Sequence, residues 1–186
     1  MRRRTIAIDN LLLPAFGAWR RDAFLVTAGD FAAGRYNCLT VGWGGLGALW
    51  DRPIVLVGVK PTRYTCTFLE RYPTFTVCHF PPEHRQALLY LGTHSGKDED
   101  KIAASGLAPM ASTVVAAPSF AEADLVLECT KVYVEDYRPE SALAELQAEK
   151  RAAAPHRFFF AEVLAVLGHP RYDAAASFSC SNYPGS

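Results

Sequence analysis

The sequence has little with which to cross-link itself or hold a metal. Its five cysteines, Cys38, Cys66, Cys78, Cys129 and Cys180, are odd in number and widely spaced, with no C-x-x-C pair. That argues against a disulfide framework or a structural zinc site and for reduced, buried thiols in a cytoplasmic protein. The five histidines, His79, His84, His94, His156 and His169, never fall at H-x-x-x-H spacing, so no metal site is expected. No G-x-S-x-G elbow and no G-x-x-x-x-G-K-[ST] loop occurs, which leaves a serine hydrolase and a P-loop enzyme without their signatures. An excess of one charge is missing too. Nineteen basic residues balance nineteen acidic ones, so no nucleic-acid partner is indicated. No apolar run approaches the roughly 20 residues of a membrane-spanning helix. Met1-Arg2-Arg3-Arg4 opens like an export signal, but Asp9, Asn10 and Arg20-Arg21-Asp22 interrupt the apolar run such a signal needs, and no membrane partner is expected.

What is present is a globular composition. Half of the 186 residues are hydrophobic and 20% are charged, enough for one domain with a substantial core. A single domain over residues 1–186 is expected, with an irregular lead-in at 1–22 and an irregular tail at 168–186. Alternation, β-branching and turn residues predict strands at Ala23–Ala28, Tyr36 to about Trp43, Pro53–Val59, Thr74–Phe80, Leu125–Tyr137 and Arg157–Leu167, with one extended piece at Thr113–Ala117. Helices are predicted at Cys66–Arg71 with Thr62 as its cap, from Pro82 to Leu91 stopped by Gly92, from Asp98 to Ser105 stopped by Gly106, and from Ser141 to Ala153. Too few helices separate the strands for a doubly wound sheet. The chain reads as mainly β with helices, an α+β protein whose antiparallel sheet closes into a barrel.

One stretch stands out, Asn37-Cys-Leu-Thr-Val-Gly-Trp-Gly-Gly-Leu-Gly-Ala-Leu-Trp50. Its first half alternates. Gly42, Gly44, Gly45 and Gly47 then sacrifice backbone order, as chains do where φ must be positive or something must approach the backbone closely. Two readings stand: a tight turn between strands, or a backbone wall against a flat ligand faced by Asn37, Thr40 and Trp43. Gly42-Trp43-Gly44 begins like a dinucleotide fingerprint, but no helical pattern follows Gly47.

Two further stretches are polar. In Ser95-Gly96-Lys97-Asp98-Glu99-Asp100-Lys101, free backbone amides ahead of a helix and two lysines one turn apart suit an anion, and a solvated helix start fits as well. Arg63 beside Tyr64 and Thr65 is a second candidate anion contact or a lone surface arginine. A barrel, a glycine-rich wall with aromatics and two candidate phosphate cradles together suit an aromatic, phosphorylated ligand such as a flavin nucleotide.

These blocks, in order, resemble the flavin reductase-like family, and within it the flavoredoxin-type branch. The resemblance rests on Asn37-x-x-Thr40-x-x-Trp43-Gly44-Gly45, Pro53, Arg63-Tyr64-Thr65, Ser95-Gly96-Lys97-Asp98-x-Asp100-Lys101, Gly106-Leu107-x-Pro109, and His156-Arg157. Leu25-Val26-Thr27-Ala28-Gly29 and Leu127-Glu128-Cys129 support it. It implies an antiparallel split β-barrel of the FMN-binding type and a homodimer with FMN near the subunit interface. Asn37, Thr40 and Trp43 would then line the isoalloxazine, with Gly44 also among the cofactor-binding residues. Arg63, Thr65, Ser95, Gly96 and Lys101 would surround the ribityl chain and phosphate, with Lys97 the more exposed lysine. His156 matches a family histidine. Cys38 stands where the family often has methionine, the segment before His156 is unusually Ala-rich, and Phe178-Ser179 matches a feature that covers the site. The implied activity is that of an oxidoreductase passing hydride from NADH or NADPH to flavin. The alternatives are a flavoredoxin-like electron carrier with a redox partner protein, and a non-enzymatic flavin- or haem-binding module. No side chain need act as acid or base, so no catalytic residue is assigned.

Overall fold

The computed structural model describes residues 3–145 and 155–178. Eight strands form one antiparallel sheet. They are β1 (Arg4–Ile6), β2 (Phe24–Asp30), β3 (Arg35–Val41), β4 (Gly44–Leu49), β5 (Arg52–Val59), β6 (Thr74–His79), β9 (Leu125–Asp136) and β10 (Arg157–Gly168). β7 (Pro109–Met110) and β8 (Ser119–Phe120) pair apart from it. The order is β3-β2-β6-β9-β10-β5-β4. β10 is long enough to hold two partners on one edge, with β5 along Arg157–Glu162 and β1 along Val166–Gly168. Three helices, α1 (Tyr64–Arg71), α2 (Arg85–Thr93) and α3 (Lys101–Ser105), fall in the connections.

The two ends of this order, β3 and β4, are consecutive in the chain and joined only by Gly42 and Trp43. The sheet must therefore roll. No ladder joins β3 to β4 among the described residues, so the roll is not closed by hydrogen bonds. The interior holds Phe24, Val26, Leu39, Val41, Val55, Val57, Phe75, Val77, Leu127 and Phe159 in one cluster. A second cluster lies outside the roll, where Leu25, Cys38, Cys78 and Val126 meet Leu88, Leu91 and Ile102 of α2 and α3. Strand side chains alternate between faces, so β2 sends Phe24 and Val26 inward and Leu25 outward, and both sides are buried. Cys38, Cys66, Cys78 and Cys129 are free and buried. Burial pushes the thiols of Cys38, Cys66 and Cys78 up to about 12.

Several expected boundaries shift for physical reasons. The lead-in supplies β1 and the buried side chains Ile6, Ala18 and Trp19. The glycine run is itself a strand, β4, and not a tight turn. Arg63, not Thr62, holds the N-cap position of α1, and no side chain caps it. α2 runs through Gly92 to Thr93, because a glycine lets the helix lie against Thr40, whose Cβ would sit 3.1 Å from an added one. α3 begins at Lys101, where Asp100 caps it through Ala103 N–H at 3.1 Å, and Gly106 at φ 74° ends it. Thr113–Ala117 forms bends. Ser141 closes a 3-10 turn, Pro139–Ser141, and most of the helix expected after it lies outside the described residues. The tail forms a 3-10 turn at Pro170–Tyr172 and a short helix at Ala174–Phe178; Ser179 and Cys180 lie outside the described residues. Among the described residues no helix is long and apolar enough to cross a membrane.

One buried ionic group ties the strand ends together. Asp124, fully buried, accepts from His79 Nδ1 at 2.8 Å and Tyr172 Oη at 3.1 Å, and pairs with Arg171. Burial alone would raise its pKa, but His79, Arg171 and Tyr172 outweigh burial and hold it below the ordinary value. A carboxyl with a depressed folded pKa contributes stability above its unfolded pKa and loses it as pH falls through the folded one. Denaturant melts are expected to show native protein losing stability below about pH 4, and Asp124→Asn should flatten that acid limb.

Candidate functional site

Leu39 on β3, the start of α1, the end of α2 and the start of α3 enclose a cleft of about 80 Å³. Arg63, Thr65, Ser95, Gly96 and Lys101 all line it. Five of the sequence-predicted residues thus converge from two separate stretches. Their placement follows from local structure. α1 starts in the lining of the cleft without a side-chain cap; Cys66 N–H donates to the Arg63 carbonyl at 2.8 Å, and the amides of Tyr64 and Thr65 ahead of it lie at the positive end of the helix. Arg63 is exposed and, among the described residues, has no acidic partner. Thr65 is buried and donates to the Cys38 carbonyl at 2.8 Å, and Asn37 Nδ2 donates to Thr65 Oγ1 at 3.2 Å. Asn37 in turn lies against Gly96, where an added Cβ would stand 2.6 Å from Asn37 Oδ1. Gly96 is the residue that lets the Ser95 turn approach β3.

Lys101 is 3% exposed, far more buried than a free phosphate-seeking lysine. Its Nζ donates to the carbonyls of Leu91 at 2.8 Å and His94 at 3.1 Å. The ammonium therefore caps the C-terminus of α2, where a cation is favoured. Burial, with Arg63 nearby, pushes its pKa down. An ammonium has three donors, so one remains for a ligand in the cleft. Ser95 Oγ accepts from Lys97 N–H at 3.2 Å. Lys97 is exposed, as expected, with its ammonium 5.5 Å from the Tyr64 ring centroid.

The remaining predicted residues divide. Trp43 and His156, far apart in sequence, stack with ring centroids 4.0 Å apart and planes at 22°. Trp43 keeps 43% of its surface exposed. It backs onto Gly58, whose N–H donates to the Trp43 carbonyl at 2.9 Å. Leu39 and Trp43 are four residues apart, at most about 13 Å of extended chain, so the cleft and the aromatic stack are within reach of one ligand. Thr40 is not turned toward the cleft. It lies on the face of β3 opposite Asn37, and its hydroxyl donates to the Leu88 carbonyl of α2 at 2.5 Å. At Gly44 an added Cβ would meet the Trp19 ring at 2.2 Å and the Leu56 carbonyl at 2.5 Å. Its missing side chain makes room for Trp19.

A second, larger cleft of about 840 Å³ adjoins the first, shares Tyr64, Gly96 and Lys101 with it, and reaches Asn37. Its wall carries Phe68 and Tyr72, one and two turns beyond Tyr64. The sequence expectations do not include this row, although its i, i+4, i+8 spacing is the signal of a helix face. Among the described residues no group of His, Cys, Asp or Glu could hold a metal ion.

Comparison with known proteins gives a consistent picture. The family model described as flavin reductase like domain matches residues 17–183. The fold is similar to flavoredoxin of Desulfovibrio vulgaris (Miyazaki F), with TM-score 0.61 and 22% identity over 84% of this chain and 70% of that one. It is similar to an FMN-binding domain of flavin reductases-like enzyme from Shewanella baltica OS155, with TM-score 0.66 and 17% identity over 94% and 86% of the two chains. It is also similar to the NADH:FAD oxidoreductase SgcE6 of Streptomyces globisporus, with TM-score 0.62 and 20% identity over 82% and 78%. No curated protein matches by sequence.

Proposed function

This chain belongs to the flavin reductase like domain family, and on that premise we propose that it is an FMN-binding oxidoreductase that takes hydride from NADH or NADPH. The observation that carries the reading is the convergence of Arg63, Thr65, Ser95, Gly96 and Lys101 on one cleft. The donor set fits a phosphate: a guanidinium without an acidic partner, an uncapped helix start and the third hydrogen of a buried ammonium. The exposed ring of Trp43, held by His156, fits the aromatic part. Bound flavin would supply the redox chemistry. The chain's own residues bind and orient. Asn37 and Thr65 brace the cleft floor. Thr40 acts from behind by anchoring α2, and Gly44 by admitting Trp19 beneath the connection that presents Trp43.

The rolled sheet is then a split barrel, and the protein a homodimer. Leu46 and Leu49 of β4, Trp50, and Tyr133 and Val134 of β9 are all more than 40% exposed. Trp50 and Tyr133 meet edge to face at 6.3 Å. These exposed apolar side chains around the edge strand β4 call for cover, and a second copy would bury them symmetrically.

Purified protein mixed with FMN and NADH is the test. Loss of NADH absorbance, dependent on both protein and flavin, is the expected result. Bound FMN without NADH oxidation would replace the reductase reading with that of a flavoredoxin-like electron carrier. An unchanged FMN spectrum would remove the flavin reading altogether.

A further inference from the structure

A third cavity, of about 680 Å³, lies away from the flavin cleft and shares no residue with it. Its walls are apolar, with Leu12, Leu13, Pro14, Phe80, Pro81 and Leu88 among them. Into this lining the chain places His79, 8% exposed, at the end of β6. Asp22, Arg85, Arg171 and Tyr172 complete the polar part.

The imidazole is held in one orientation. Nδ1 lies 2.8 Å from Asp124 Oδ1 and 2.9 Å from Tyr172 Oη. Tyr172 donates its own proton to Asp124 Oδ2 at 3.1 Å, and Arg171 donates to both Asp124 and Tyr172. Asp124 is an acceptor only, so Nδ1 carries the hydrogen. Nε2 then presents a lone pair. Asp22 Oδ2 lies 3.8 Å from it, beyond hydrogen-bond distance. A carboxylate fixing the imidazole tautomer leaves the far nitrogen as a positioned base, the arrangement by which the histidine of a Ser-His-Asp triad accepts a hydroxyl proton. Arg85 lines the same cavity and has no acidic partner among the described residues.

We propose that this cavity binds a small phenol, its ring against Phe80, Leu88 and Pro14 and its hydroxyl donating to His79 Nε2. Apolar walls take the ring. The aligned Nε2 takes the proton, and Arg85 favours the negative charge that develops on the oxygen. A carboxylate ligand would set its lone pairs against that of Nε2, and a purely apolar ligand would leave the buried nitrogen unpaired.

The probe is 4-nitrophenol, whose absorbance distinguishes phenol from phenolate, titrated into the full-length protein with and without FMN. One saturable site, indifferent to FMN, is expected. 4-Nitroanisole, the same shape without the hydroxyl proton, should bind at least roughly tenfold more weakly, the size of one hydrogen bond to a charged or strongly polarised group. In His79→Asn the amide nitrogen can replace Nδ1 toward Asp124 while nothing replaces Nε2, so the fold is kept and phenol affinity falls by a similar factor. Arg85→Ala, on the exposed rim, should weaken binding and reduce the phenolate fraction, and it decides the matter if His79→Asn does not fold. Absence of saturable binding, equal affinity for 4-nitroanisole, displacement by FMN, or affinity unchanged in the folded variants would each overturn the proposal. None of these outcomes bears on whether the other cleft binds flavin.

Discussion

Gly44→Ala is expected to destabilise the protein by roughly 3 kcal/mol, whereas Gly45→Ala and Gly47→Ala are expected to leave stability within about 1 kcal/mol of native or raise it. All three glycines belong to the same strand, β4. They differ in what a methyl group would meet. At Gly44 it would enter the Trp19 ring at 2.2 Å and approach the Leu56 carbonyl at 2.5 Å. Neither can yield cheaply. Trp19 is 5% exposed and in ring contact with Phe24 at 4.4 Å, and Leu56 O belongs to the neighbouring strand backbone. At Gly45 and Gly47 nothing lies within 4 Å. Urea melts of the three variants separate these cases. Equal losses at all three positions would mean that the strand needs glycine for its backbone, not for Trp19. If β4 also covers a second copy of the chain, Gly47→Ala would change the mass measured by light scattering without changing the melt of the protomer.

Glu128→Ala carries the second large effect, a loss of roughly 3 kcal/mol. Glu128 sits in the apolar run of β9 and is 1% exposed. Its Oε1 accepts from Thr113 N–H at 2.8 Å and Thr113 Oγ1 at 3.0 Å, and its Oε2 from Val114 N–H at 2.7 Å. One carboxylate thus satisfies the amides of a loop that has no ladder of its own. The same loop is held at Ala116 O by Phe31 N–H and at Pro118 O by Thr76 Oγ1. Truncation would leave two amides without acceptors. Glu128→Gln keeps the shape but turns an NH2 group toward one of the donors, so it should recover only part of the loss. Equilibrium unfolding measures the size, and limited proteolysis locates it: new cuts within residues 111–117 are expected in Glu128→Ala and not in native protein. Native stability in that variant would remove the carboxylate from any structural role.

How much of the structure is legible in the sequence depends on what each residue shows in one dimension. β2, β5, β6, β9 and β10 declare themselves because their apolar residues alternate or run continuously. β4 does not, because glycine has no side chain with which to show a period. β1 has three residues, too few for any pattern. The two halves of the cleft, Arg63–Thr65 and Ser95–Lys101, are each visible as polar stretches with amides to spare, yet nothing in either predicts that they meet. That meeting depends on Gly96 against Asn37. At Thr40 and Gly44 a side chain's direction, or its absence, decides what the residue meets more than its type does. Alternation along β3 puts Thr40 on the face opposite Asn37, so both cannot turn their side chains to one ligand. Gly44 makes room for Trp19, which no pattern in the sequence announces. The charge of Lys101 suggests a phosphate contact, and its burial under the end of α2 gives that charge a structural task as well. The His79–Asp124–Tyr172 group joins residues separated by 45 and 48 positions, and a single sequence carries no signal at that range.

The account stands most directly on whether the cleft reads a phosphate. Titration of native protein and Arg63→Ala with FMN and with riboflavin, by calorimetry, tests it. Arg63 is the right position because, unlike Lys101, it supports no neighbouring carbonyl. FMN is expected to bind native protein clearly more tightly than riboflavin, and Arg63→Ala to weaken FMN by roughly 1.5–3 kcal/mol while leaving riboflavin nearly unchanged. Equal affinities for the two flavins, or equal losses for both on Arg63→Ala, would contradict it.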